Sequence, residues 1–81
     1  MKARIYVTLK DGVLDPQGQA IEGALGALGF SGVASVRQGK VFDIELADGA
    51  EADARLKRMC EQLLANIVIE DFRVETLGAS E

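Results

Sequence analysis

Histidine and tryptophan are missing from these 81 residues, and cysteine and proline occur once each, as Cys60 and Pro16. The missing histidine removes Ser-His-Asp and Cys-His chemistry from anything this chain does by itself. A single cysteine cannot close an internal disulfide, and without histidine it cannot complete a zinc site. Four aromatic side chains, Tyr6, Phe30, Phe42 and Phe72, are too few to form a stacking platform for bases. A formal net charge of −4 speaks against a nucleic-acid partner, which requires a basic stripe. No apolar run reaches signal-peptide or membrane-spanning length, so the expectation is a soluble, cytoplasmic protein.

A chain of this length makes one small domain, which buries roughly 60% of its unfolded surface. With disulfide and metal staples excluded, association with like or unlike chains is the remaining route to added stability. Residues 1–77 are assigned to that domain and residues 78–81 to a frayed tail.

Ala3, Ile5, Val7 and Leu9 alternate with Lys2, Arg4, Tyr6 and Thr8, the period-two pattern of a half-buried strand. Gly12 then turns the chain, and Asp15-Pro16 supplies a cap and a first helical residue. Ile21, Ala24, Leu25 and Leu28 form one apolar stripe on that helix, and Gly29 is its stop. Two short strands follow at 33–38 and 41–46, joined by a tight hairpin at Gly39-Lys40. Asp48 with Glu51 reads as a capping box for a second helix, with Glu51 and Arg55 paired on its wet side. Ala52, Leu56, Met59, Cys60 and Leu63 form its apolar face, Asn66 ends it, and a last strand spans 67–77. The order is β-α-β-β-α-β. Right-handed crossovers place both helices on one face of a four-stranded antiparallel sheet, a ferredoxin-like two-layer α+β sandwich.

No constellation of residues forms an active site, and the individual candidates each have a structural reading beside the functional one. Asp15 and Pro16 start a helix, whose N-terminus also attracts anions. Gly18 does nothing for the helix and marks close approach by another chain, the alternative for the segment being plain helix capping. Gly23 and Gly26 give either a smooth face for a neighbouring backbone or neutral exposed positions. Arg37 and Lys40 flank Gly39 at the hairpin tip, either solvated or gripping an acidic surface. Glu70 falls in the inward phase of its strand, which requires a shifted register, a late strand start or a cation at a subunit contact. Cys60 lies on the apolar stripe and is expected to be buried and inert.

The wording of several segments resembles the PurS family. It rests on Val7-Thr8-Leu9-Lys10 with Gly12-Val13-Leu14-Asp15-Pro16-Gln17-Gly18, on Leu28-Gly29-Phe30, and on Val36-Arg37-Gln38-Gly39-Lys40. It continues through Met59-Cys60-Glu61-Gln62-Leu63-Leu64-Ala65-Asn66 and Val68-Ile69-Glu70-Asp71-Phe72-Arg73-Val74-Glu75, covering nearly the whole chain. The resemblance implies the small subunit of the three-component phosphoribosylformylglycinamidine (FGAM) synthase of purine biosynthesis. It implies no catalytic residue and no cofactor in this chain, since ATP and Mg are used by the large subunit of the complex. It further implies self-association as a dimer or tetramer, and a bridge between the glutaminase and synthase subunits that assists ammonia transfer. On this reading Asp15, Pro16, Gln17, Gly18, Arg37, Gly39 and Lys40 are the partner-interface candidates. The alternative is a regulatory domain of the same topology that binds a small molecule at a loop such as Gly29-Phe30-Ser31-Gly32. Its prediction, a thermal shift in a panel of amino acids, is one that a bridging subunit does not share.

Overall fold

A computed structural model of the chain describes residues 1–77; the tail expected at 78–81 lies outside them. Strand β1 (Lys2–Leu9) leads to helix α1 (Pro16–Ala27), strand β2 (Gly39–Glu45) and helix α2 (Ala52–Met59). A π-helical turn (Cys60–Leu64) extends α2, and strand β3 (Glu70–Leu77) follows. The sheet has three strands in the order β2-β1-β3, both pairings antiparallel.

The expected fourth strand is not formed, which corrects the four-stranded ferredoxin-like arrangement. The register explains why. Gly39 and Lys40 already pair with Thr8 and Val7 as the first residues of β2. They therefore cannot be the turn of a hairpin. Residues 31–38 arrive from α1 instead, and the Gln38 amide donates to Asp15 Oδ2 at 2.8 Å rather than to a strand carbonyl.

The core sits between the sheet and α2. Alternation in β1 turns Ala3, Ile5 and Val7 to one side, where they meet Leu46, Ala52, Leu56, Cys60 and Ala65. Phe42, Ile44, Phe72 and Val74 flank this cluster from the outer strands. The other face of the sheet is wet. There Arg4 Nε donates to Asp43 Oδ1 at 2.8 Å, and Arg73 stacks over the Tyr6 ring at 4.1 Å.

The second helix starts later than its capping signals suggest. Asp48 accepts from the Ala50 amide and pairs with Arg55, while Glu51 takes a left-handed conformation (φ 49°) with no side-chain cap. The π turn then changes the phase. The Ala65 amide donates to the Cys60 carbonyl at 2.9 Å, five residues back, so one extra residue enters the turn. Leu63, expected on the buried face, is 83% exposed, and Leu64 packs against the core in its place.

Helix α1 contributes no side chain to this core. Among its residues only Gly18 is buried, and the apolar stripe expected to lie on the sheet faces outward, with Ile21 and Leu28 both exposed. The result is a flat, elongated molecule of 48 × 31 × 14 Å with a Cα radius of gyration of 16.1 Å. A compact chain of this length has a radius near ~12 Å. The excess comes from an arm, residues 16–36, carried away from the sheet. None of the helices among the described residues is long and apolar enough to cross a membrane.

Candidate functional site: the base of the arm

The arm leaves the sheet after β1 and returns to it before β2, so its two ends are neighbours in space. Asp15 ties them together. Its carboxylate accepts from the Gly18 amide through Oδ1 and from the Gln38 amide through Oδ2, both at 2.8 Å. The first bond is the N-cap of α1, made in the usual way for a short acidic side chain before a helix that starts with proline. The second spans 23 residues and turns a local cap into a cross-tie.

Gly18 makes the cross-tie possible. A Cβ on Gly18 would press against the Val36 carbonyl oxygen and sit 2.6 Å from Asp15 Oδ2. The outgoing helix and the returning chain therefore touch through backbone, which only glycine permits here. The close approach expected from another chain is made by this chain itself. Gly39 has a similar role: an added Cβ would lie 2.7 Å from the Val7 carbonyl oxygen.

Arg37 completes the junction. Its Nη2 donates to the carbonyls of Leu9 at 2.7 Å and Lys10 at 3.2 Å, fastening the returning chain to the end of β1. Arg37 is thus tied to the end of β1 and is not one of two free cations on a hairpin tip. Lys40 points to the helix side of the sheet, with Nζ 3.5 Å from Glu70 Oε2. Glu70 also accepts from the Asn66 amide through Oε1 at 2.7 Å. The strand starts late, at Glu70, and the inward carboxylate meets a cation within the chain, which accounts for its phase.

These groups surround a cleft of about 230 Å³ lined by Val7, Asp15, Gln17, Gln38, Lys40 and Glu70. Of the seven candidates singled out, the buried Asp15 and Gly18 and the exposed Arg37 and Gly39 build the junction, while Pro16, Gln17 and Lys40 lie exposed around it. The Gln38 amide, the Val36 carbonyl and the two carbonyls at the end of β1 are partners that no residue type announces. Only Gly18, costly inside a helix, hinted at them. Gly23 and Gly26 face open space, and the loop Gly29-Phe30-Ser31-Gly32 lies exposed at the far end of the arm.

The two amide donors hold the Asp15 carboxyl below its ordinary pKa, the Gln38 bond being the larger cause. A depressed folded-state pKa contributes stability that is complete above the unfolded value and is lost as pH falls through the folded one. Stability of the wild-type chain is therefore expected to fall as the pH drops through and below the ordinary carboxylate range, with Asp15→Asn flattening that slope. Denaturant midpoints measured across this range check it, and parallel curves would contradict the assignment. Cys60, by contrast, is fully buried, and burial followed by the Glu61 charge pushes its thiol up, as expected of an inert cysteine. Among the described residues no group of three or more His, Cys, Asp or Glu could hold a metal ion.

A three-stranded sheet with a single covering helix, a charge-poor arm held off it, and a junction of side-chain-to-backbone bonds define a small α+β domain with a projecting arm. Comparisons with known proteins give its family. The family model for PurS, phosphoribosylformylglycinamidine (FGAM) synthase, matches residues 2–78. The PurS subunit of Mycobacterium leprae is 51% identical over 73 residues, covering 90% of this chain and 91% of that one. The PurS subunit of Bacillus subtilis is 49% identical over 76 residues, covering 91% and 89%. Among solved structures, B. subtilis PurS superposes with a TM-score of 0.85 at 45% identity, covering 91% of this chain and 94% of that one. A chain in the structure of PurLQS from Thermotoga maritima gives a TM-score of 0.78 at 34% identity, covering 94% and 95%. This chain belongs to the PurS family, and with it to the subunits of FGAM synthase, an enzyme of purine biosynthesis.

Proposed function

We propose that this chain is the non-catalytic bridging subunit of FGAM synthase, holding the glutaminase and synthase subunits together so that ammonia passes between them. The observation that carries the proposal is the likeness over 94% of the chain to a component of the T. maritima PurLQS structure. On this reading the large subunit binds ATP and Mg and amidates formylglycinamide ribonucleotide, this chain binds no cofactor, and the complex works in the cytoplasm.

Self-association is part of the proposal, as a dimer or tetramer. Residues 16–36 contain a single charged side chain, Glu22. They nevertheless expose Ile21, Leu28, Phe30 and Val33. Interface cores are depleted in charge and enriched in such side chains, whereas free surfaces are not. The small residues Ala20, Gly23, Ala24 and Ala27 on the same helix let a neighbouring backbone come close. A second copy, offering an identical charge-poor arm, is the occupant this surface suits. Pro16, Gln17, Arg37, Gly39 and Lys40, exposed at the junction, are left to contact the larger subunits, with the buried Asp15 and Gly18 shaping that surface from within.

Reconstitution tests the bridging role. Glutamine-driven synthesis by the large and glutaminase subunits is expected to require this chain, while ammonia-driven synthesis proceeds without it. Equal glutamine-driven turnover in its absence overturns the proposal.

A further inference from the structure

We propose that the junction of Asp15, Gly18 and Arg37 is a latch that sets the direction in which the arm leaves the sheet, and so sets the closed form in which copies of this chain assemble. The inference rests on the reading of the arm as the self-association surface.

No side chain of α1 joins the core, and two single lengths of chain connect the arm to the sheet. Two such stalks, left to themselves, form a hinge about the line joining them. Three contacts remove that freedom in different directions. Asp15 joins the outgoing stalk to the returning one at the Gln38 amide. The backbone contact between Gly18 and Val36 fixes how closely the two lie. Arg37 fastens the returning stalk to the Leu9 and Lys10 carbonyls at the end of β1. Sheet, junction and the first turn of α1 then move as one body.

Direction matters because symmetric assembly is a condition on angle. Identical surfaces close into a dimer or ring only when the rotation from one copy to the next closes; otherwise contacts propagate or mispair. An arm that swings on its stalks offers many rotations, and a latched arm offers one. The assignment also explains why glycine and aspartate occupy positions 18 and 15. They serve geometry.

The test uses the full chain as wild type, Asp15→Asn and Gly18→Ala. Light scattering coupled to size exclusion reads the assembly, solution scattering reads the radius of gyration, and amide exchange reads the latch. The Asp15→Asn change retains the size of the side chain, so it keeps the test valid if Gly18→Ala fails to fold. In wild type a single stoichiometry and a protected Gln38 amide are expected. In either folded variant the Gln38 amide is expected to exchange about tenfold faster, the effect of one lost charge-assisted hydrogen bond, and the single species to give way to several sizes. A folded variant that keeps the wild-type stoichiometry overturns the latch. A wild-type chain that stays monomeric at every concentration refutes the self-association reading instead. The latch is then judged on the monomer, where a variant with an unchanged radius of gyration refutes it and a broadened one supports it.

Discussion

Leu28→Glu combined with Phe30→Glu is expected to convert the assembled protein to monomers and to abolish glutamine-driven synthesis while sparing the ammonia-driven reaction. Leu28 is 74% exposed and Phe30 59% exposed, at the end of an arm that adds nothing to the core of its own chain. Removing them therefore costs the fold little. Burying each against a second copy is worth about 1.5–3 kcal/mol, so losing both raises the dissociation constant by about 10² to 10⁴. Placing two carboxylates in a dry contact adds a desolvation penalty on top. Sedimentation equilibrium with far-UV circular dichroism as the folding control measures both halves of the expectation. A double variant that sediments like wild type would show that the arm is not where copies meet.

Leu56→Ala is expected to lower unfolding stability by about 2–5 kcal/mol. Leu56 is fully buried and belongs to a core that, among the described residues, has only eight buried hydrophobic side chains, three of them alanines. A domain of this length has roughly 4–12 kcal/mol in total, so the loss is a large share of it. The companion variant Leu63→Ala, two helical turns on and on the same stripe by simple periodicity, is expected to change stability by no more than about 0.5 kcal/mol. Urea unfolding of the two variants decides the point. Equal losses would mean that the π turn does not redirect Leu63 to solvent.

That contrast shows where periodicity stops being informative. The alternation of β1 was legible because each residue in a strand points opposite to the last, and Ala3, Ile5 and Val7 are indeed the buried set. The start of α1 was legible because proline suits the first helical position and an aspartate just before it caps the free amides. The phase of Cys60 and Leu56 was legible as well. Leu63 was not, because a single hydrogen bond made five residues back in place of four shifts every later side chain, and nothing in Cys60-Glu61-Gln62-Leu63-Leu64 requires that choice.

The missing fourth strand has the same origin on a larger scale. Residues 33–38 hold valines at 33 and 36 and look like a strand, yet a strand also needs a free edge within reach. The registration of Gly39 opposite Thr8 leaves no residues for a turn, and the Gln38 amide is taken by Asp15. Of the candidate site, the identities of Asp15, Gly18, Arg37 and Gly39 were visible, but what they do was not. Their partners are backbone atoms, and every residue carries the same ones.

The order of elements, the buried face of the central strand, the helix entry at Pro16 and membership of the PurS family are written in local pattern and wording, which survive without long-range information. The number of strands, the exposure of an apolar helix and the tying of residue 15 to residue 38 were decided by tertiary structure. They depend on which of several compatible backbone partners lies within hydrogen-bonding distance once the chain has folded, and no local propensity encodes that distance.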